Sequence, residues 1–98
     1  IDVPQSYGIV QFSRTLKMLQ DRGWSRQSIF PHGGNLMTLA IVAGFGLGGC
    51  EAYPGTFGVF AGFADDSKVS QGKINLSDRP GIGFESQNAL YDVMKNII

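Results

Sequence analysis

Charge is scarce in this sequence. Only 16% of the residues are charged, against about 25% in a typical soluble domain. The eight basic residues are balanced by eight acidic ones, and neither sign forms a cluster. A nucleic-acid-binding face needs concentrated Lys and Arg, so this charge pattern excludes that class of function. The longest apolar run, residues 36–47, is interrupted by glycine and is shorter than the ~20 residues of a membrane span. We therefore expect neither a nucleic acid nor a membrane as a partner.

Cysteine and histidine each occur once, as Cys50 and His32. A single cysteine forms no disulfide within the chain, which is typical of a reducing compartment, and we expect a cytoplasmic protein. One His and one Cys among scattered acidic residues have no metal-ligand spacing. The chain begins with Ile1 rather than Met, without a charged leader or a signal-like apolar segment. We therefore expect it to be part of a longer protein.

Hydrophobic periodicity predicts alternating helices and strands. A helix with one apolar stripe is expected from Ser6, its cap, to about Arg22, where Gly23 would end it. A second and almost wholly apolar helix is predicted at residues 36–43. Short strands are predicted at residues 28–30 and 50–53, the latter ended by Pro54, and residues 1–3 would be the end of an earlier strand. This order is typical of βα units around a parallel sheet.

The chain changes character after Gly55. We expect an aromatic loop at residues 57–63, an exposed edge strand at 73–76 and a last helix capped by Ser86. Three short parallel strands leave open sheet edges, and the apolar helix at residues 36–43 lacks obvious covering segments. The sequence therefore predicts that further protein packs against this chain.

Two motifs have competing interpretations. Gly44, Gly46 and Gly49 match the dinucleotide-binding pattern G-x-G-x-x-G, with Asp65 at the distance of a ribose-binding acid. That pattern requires a helix after the glycines, and the proline at position 54 follows too soon, so a tight turn is favoured. The second motif is Cys50, which could be a nucleophile with the single histidine as its base. Its glycine and apolar neighbours favour a buried structural thiol instead.

His32 follows a predicted strand, which places it at the carboxyl end of a parallel sheet, where ligands bind. A lone histidine is more often structural, but Asp2 and Glu51 occupy the equivalent ends of the preceding and following strands. An aspartate beside a histidine orients the ring and favours its protonated form, which suits a general acid or base. Gly33 and Gly34 leave space and offer backbone N–H groups at a helix start, which favours an anion.

Four short motifs occur in one order along the chain: Asp2 with Ser-Tyr-Gly at 6–8, Pro-His-Gly-Gly at 31–34, Gly-Leu-Gly-Gly-Cys-Glu-Ala-Tyr-Pro at 46–54, and Pro-Gly-Ile-Gly-Phe-Glu at 80–85. With them the sequence resembles the C-terminal part of the enolase superfamily, in its mandelate racemase/muconate lactonizing enzyme-like branch, and most nearly the tartrate dehydratases. The resemblance implies an α/β fold, the C-terminal portion of a modified (β/α)7β TIM barrel. Residues 1–70 would contribute the last three strands of the barrel with their helices, and residues 71–98 would be a tail that returns to the capping domain.

For function, the resemblance implies a lyase that removes water from a hydroxy-diacid or acid sugar such as tartrate. The proton α to the carboxylate would be abstracted to give an enediolate stabilised by Mg²⁺. His32 would deliver a proton to the departing hydroxyl, Asp2 would be its dyad partner, and Glu51 would hydrogen-bond the substrate carboxylate. Gly33 and Gly34 would line the substrate-binding site.

The superfamily's metal ligands and Lys-x-Lys pair lie upstream of the dyad aspartate, so no metal ligand is expected among these 98 residues. A complete barrel needs about 250 residues. The resemblance therefore predicts that the rest of the same enzyme, and a homo-oligomeric partner, complete the active protein, and that this chain alone is inactive.

Two alternatives stay open at this point. A racemase or cycloisomerase of the same superfamily would use His32 with Asp2 as a base. The alternative from another class is a stand-alone anion-binding module without catalysis, formed by the glycine corner that begins at Gly33.

Overall fold

The computed structural model describes residues 1–53 and 55–97. This part of the chain contains three α-helices and one antiparallel pair of short strands: α1 (Ile9–Asp21), α2 (Leu36–Phe45), β1 (Val69–Ser70), β2 (Lys73–Ile74) and α3 (Asn88–Ile97). The connections include 3-10 turns at Pro4–Ser6, Arg26–Ser28, Gly58–Phe60 and Phe84–Ser86. Pro54, the expected end of the second predicted strand, and Ile98, the end of the predicted tail, lie outside the described residues.

Helix α1 packs through its predicted apolar stripe but begins later than predicted. Phe12 is fully buried and Leu16 is 1% exposed, because residues four apart lie on the same face of a helix. The expected cap, Ser6, lies in the preceding 3-10 turn, and Gly8 precedes the first helical residue. The backbone at Gly8 has a φ of 98°, which turns the chain just before the helix. Gly23, with a φ of 86°, follows the end of α1 as predicted.

Helix α2 includes the predicted residues 36–43 and continues to Phe45. The Asn35 side chain caps it, since its oxygen accepts a hydrogen bond from the Thr38 N–H at 2.9 Å. Gly46, with a φ of 63°, ends it. The buried residues of the helix are Leu36, Leu39 and Val42. Met37 of the same helix is 46% exposed in the described chain.

The core lies where α1 meets the end of α2. Its buried members are Phe12, Leu16, Ile29, Val42 and Leu47. The rings of Phe12 and Phe45 meet edge to face, with centroids 5.9 Å apart. Arg26 donates to the Phe45 carbonyl at 3.0 Å, and the N–H of Gly48 donates to the Ile29 carbonyl at 3.1 Å. These contacts hold residues 26–29 beside α2. They therefore also determine the position of Pro31 and His32, which follow after Phe30.

The two predicted strands at residues 28–30 and 50–53 are not strands in this structure. Residues 26–28 form a 3-10 turn, and Ile29 is extended without a neighbouring strand. A strand requires a hydrogen-bonded partner, and residues 1–3 run into the turn at Pro4–Ser6 instead of pairing. Among the described residues, parallel pairing is limited to one isolated bridge, between Asn35 and Gly62. The described residues thus form no parallel sheet, and the barrel stays a prediction.

The tail packs against the middle of the chain. Of the predicted edge strand at residues 73–76, only Lys73 and Ile74 form a strand, β2. It pairs with β1 through a turn at Gln71 and Gly72, so the expected border at 70/71 falls within a hairpin. The Gln87 side chain donates to the Ala61 carbonyl at 2.8 Å. Ser86 does not cap α3, because it lies in the preceding 3-10 turn. The carboxylate of Asp65 instead accepts the first N–H of α3 at 3.1 Å.

Within residues 1–53 and 55–97, no helix combines the length and the hydrophobicity needed to cross a membrane.

Candidate acid–base site

Asp2 and His32 form a hydrogen-bonded pair. The Oδ1 atom of Asp2 accepts the backbone N–H of His32 at 2.7 Å, and its Oδ2 atom lies 3.1 Å from the ring Nδ1. A carboxylate only accepts hydrogen bonds, so Nδ1 carries the hydrogen in this contact. The Asp2 side chain is 8% exposed, whereas the His32 side chain is 74% exposed. The pair therefore has a buried acid that holds an accessible ring in one orientation.

The pKa of Asp2 lies below its ordinary value of 3.8. Burial by itself raises the pKa of a carboxyl group. The backbone N–H of His32, the hydrogen bond to its ring and the charge of that ring oppose this effect and outweigh it. Asp2 consequently stays ionised through the neutral range and keeps its role as an acceptor for Nδ1.

Glu51 approaches the same ring from its other nitrogen. Its Oε1 atom lies 3.8 Å from Nε2 of His32, which is too long for a direct hydrogen bond. Its Oε2 atom accepts the backbone N–H of Gly33 at 3.4 Å. The Glu51 side chain is 41% exposed. A second carboxylate thus stands beside Nε2 and leaves that nitrogen open to a small molecule.

The two glycines after the histidine have different surroundings. Gly33, with a φ of 99°, directs its N–H to Glu51, so the group expected to bind an anion contacts a carboxylate of the same chain. Gly34 is buried, and its carbonyl accepts the Gly62 N–H at 2.7 Å. Both precede the cap Asn35 rather than belonging to the first turn of α2.

The arrangement supports proton transfer through one imidazole nitrogen. Asp2 fixes the hydrogen on Nδ1, and therefore Nε2 is the atom that accepts or releases the exchanged proton. General acid–base catalysis requires such a group within hydrogen-bond reach of the reacting atom. Because the His32 side chain is exposed beside Glu51, Nε2 can come within reach of a reacting atom in a bound molecule.

The magnesium implied by the resemblance does not fit the residues of this chain that the structure describes. No group of three or more His, Cys, Asp or Glu side chains is placed there to hold a metal ion. The Asp2 carboxylate already accepts hydrogen bonds from the backbone N–H and the ring of His32. We therefore derive no chemical step through a metal.

The other two motif interpretations have structural counterparts. The glycines at 44–49 lie in the last turn of helix α2 and directly after it, not before a helix, and this is the wrong order for a dinucleotide fingerprint. Cys50 is half-buried, and burial together with the neighbouring charge of Glu51 raises the pKa of its thiol. A protonated thiol is a poor nucleophile, so the structure favours the structural interpretation of Cys50.

Sequence reasoning identified the three titratable groups that the structure brings together, Asp2, His32 and Glu51. It missed the cap at Asn35, although an Asn before an apolar run with Thr three residues later is a readable signal. A search of protein-family models found no match to this chain. The resemblance to the enolase superfamily and the catalytic roles attached to it therefore stay predictions.

Proposed function

We propose that this chain supplies the acid–base residues of a dehydratase acting on a hydroxy-diacid or acid sugar, of which tartrate is an example. The observation that carries the proposal is the contact of the buried Asp2 carboxylate with Nδ1 of His32 at 3.1 Å. It leaves Nε2 exposed and aligned for one proton transfer. A purely structural histidine has no need of an exposed ring held by a buried acid.

The proposed step for His32 is general-acid catalysis of hydroxyl departure. As the carbon–oxygen bond breaks, Nε2 releases its proton to the leaving oxygen, and water is formed. The electron pair for the new double bond comes from the carbon that loses its α-proton to a base outside these residues. The enol so produced rearranges to a keto acid. Asp2 stays ionised and stabilises the ring before the transfer.

Glu51 is proposed to contact the substrate carboxylate. A hydrogen bond between two carboxyl groups requires one shared proton, which this contact would hold between Glu51 and the substrate. The position of Glu51, 3.8 Å from Nε2, supports the assignment, because the proton donor and the bound carboxylate are then neighbours. Gly33 lines the same space through its N–H.

Product analysis in D₂O tests the proposal on the complete protein with a panel of hydroxy-diacids and acid sugars. Wild type should form a keto acid, and His32→Asn should lower its turnover by at least ~10²-fold, the scale of general acid–base catalysis. Asp66→Asn, a change of an exposed acid elsewhere on the surface, is the matched control and should keep full turnover.

Other outcomes of this assay identify the alternatives. Substrate that returns with α-deuterium or inverted configuration, without a keto acid, would replace the dehydratase with a racemase of the same superfamily. Anion binding with no turnover and no α-exchange for any substrate would favour a binding module. Unchanged turnover in His32→Asn would contradict the role of the imidazole.

A further inference from the structure

Gly34 lies unusually close to the chain segment that contains Glu51. A Cβ atom built on Gly34 would lie 2.7 Å from the Ala52 Cα, 2.7 Å from the Tyr53 nitrogen and 2.8 Å from the Glu51 carbonyl oxygen. Real Cβ atoms essentially never approach other atoms within 3.0 Å, and all three neighbours are backbone atoms that cannot rotate away. Any side chain at position 34 therefore requires residues 51–53 to move.

The movement that a Cβ at position 34 would require is large enough to break the contact between Gly33 and Glu51. Ordinary van der Waals contact begins at 3.4 Å, so the closest neighbours at 2.7 Å would have to retreat by about 0.7 Å. The contact between the Gly33 N–H and Glu51 Oε2 is already long, at 3.4 Å. It lies near the limit beyond which a hydrogen bond weakens steeply. The carbonyl of Gly34 holds its own position through the bond from Gly62, and so residues 51–53 are the part that moves.

We infer that Gly34 is a positioning residue that sets the distance between Glu51 and the His32 corner. The buried Gly34 would then act through Glu51, and not as the substrate-lining residue that the resemblance implies. Its missing side chain lets residues 51–53 pass close enough for Glu51 to reach the Gly33 N–H and the Nε2 side of the ring. The inference rests on the proposed function only in treating Glu51 as part of a catalytic site; the spacing itself is testable without any turnover.

Backbone amide resonances report the two carboxylates separately. The His32 N–H donates to Asp2, and the Gly33 N–H donates to Glu51. In the protein labelled with ¹⁵N-glycine and ¹⁵N-histidine, lowering the pH until both carboxylates are protonated should therefore shift each of the two amide resonances. Glu51→Gln should abolish the response of the Gly33 amide and leave the response of the His32 amide intact.

Gly34→Ala is the decisive variant. In this variant we expect the Gly33 amide resonance to stop responding when the pH is lowered, while the His32 amide resonance still responds to protonation of Asp2. Gly48→Ala is the matched control, because a Cβ there would collide with the Gln27 carbonyl oxygen and the Phe30 ring and not with the backbone of residues 51–53. Gly48→Ala should lower stability yet keep both amide responses, which separates a spacing effect from general damage.

Glu51→Asp carries the test if Gly34→Ala does not fold. It withdraws the carboxylate by one carbon–carbon bond, about 1.5 Å, without crowding the backbone, and it should also abolish the response of the Gly33 amide. A response retained in Gly34→Ala, or retained in Glu51→Asp, would overturn the inference whatever the turnover assay shows. The inference would also be overturned if both amide responses were lost in Gly34→Ala and both were lost in Gly48→Ala, since the effect would then be unspecific. A protein without dehydratase activity but with the expected amide pattern would refute the proposed function alone.

Discussion

Among residues 1–53 and 55–97, the Asp2 carboxylate is hydrogen-bonded by His32, through both its backbone N–H and its ring. The sequence separation of 30 residues between them means that the pair forms only when the chain is folded. The pKa of Asp2 is lowered by this folded arrangement, so protonation of Asp2 and stability of the fold are linked.

Asp2→Asn should change the pH dependence of stability. A carboxyl group with a lower pKa in the folded state stabilises the fold fully above its unfolded pKa, and the contribution disappears as the pH falls through the folded value. We expect the free energy of unfolding of wild type to exceed that of Asp2→Asn at about pH 6, with a difference that shrinks below about pH 4. Urea unfolding at a series of pH values measures this difference.

Asp66→Asn serves as the control for this experiment, because Asp66 is exposed. Its effect should stay within about 0.5 kcal/mol at every pH. A difference between wild type and Asp2→Asn that is constant with pH, or that grows on acidification, would contradict the lowered pKa.

The helices show how much of each element the sequence determines. The apolar stripe of α1 can be predicted from the sequence because Phe12 and Leu16 are four residues apart. The end of the helix can be predicted from Gly23. The strands at residues 28–30 and 50–53 were predicted from short apolar runs, which do not reveal whether a partner strand is present. Pairing depends on the rest of the fold, and the described residues contain no strand paired with either segment.

The candidate site was predictable in its residue types but not in its spacing. Asp2, His32 and Glu51 are chemically distinctive and stand next to glycine or short apolar segments. The role of Gly34 depends instead on how closely residues 51–53 pass, and no local pattern encodes a distance between segments that are 17 or more residues apart. The contact of Glu51 with the Gly33 N–H has the same long-range origin.

Helix α2 depends on its cap, since its apolar sequence has no charged residues to stabilise its ends. Asn35→Ala removes the acceptor of the Thr38 N–H and should lower the free energy of unfolding by about 1 kcal/mol. Chemical denaturation measures the change. Ser13→Ala, at an exposed position within α1, is the control and should stay within about 0.5 kcal/mol. An equally small effect of Asn35→Ala would show that the cap does not stabilise α2.

The whole molecule exposes more surface than its mass requires. Its accessible area is 6810 Å², whereas a compact monomer of 10.6 kDa exposes about 5,500 Å². The radius of gyration, 14.1 Å, exceeds the ~13 Å of a compact chain of this length. Large apolar side chains contribute to the excess, with Trp24 61%, Phe57 68% and Phe60 65% exposed. An excess of ~1,300 Å² is larger than the ~800 Å² that each partner buries in a protein interface of standard size.

This surface predicts association of the isolated chain. Sedimentation velocity should show an average mass that rises with concentration, because apolar burial between copies removes exposed area from water. Trp24→Ser combined with Phe60→Ser should reduce the association, whereas Gln20→Ser, at an exposed polar position, should not. A concentration-independent monomer with a sharp unfolding transition would contradict the prediction and favour a stand-alone module.

The central claim is that Asp2 acts through His32, and a double-variant cycle of turnover in the complete protein tests it most directly. His32→Asn should lower kcat by at least ~10²-fold with little change in substrate binding, and Asp2→Asn should cause a smaller but still large loss. Because the acid only orients and stabilises the ring, adding Asp2→Asn to His32→Asn should lower kcat no further. Losses that multiply in the double variant, or an Asp2→Asn variant with normal kcat, would contradict the account.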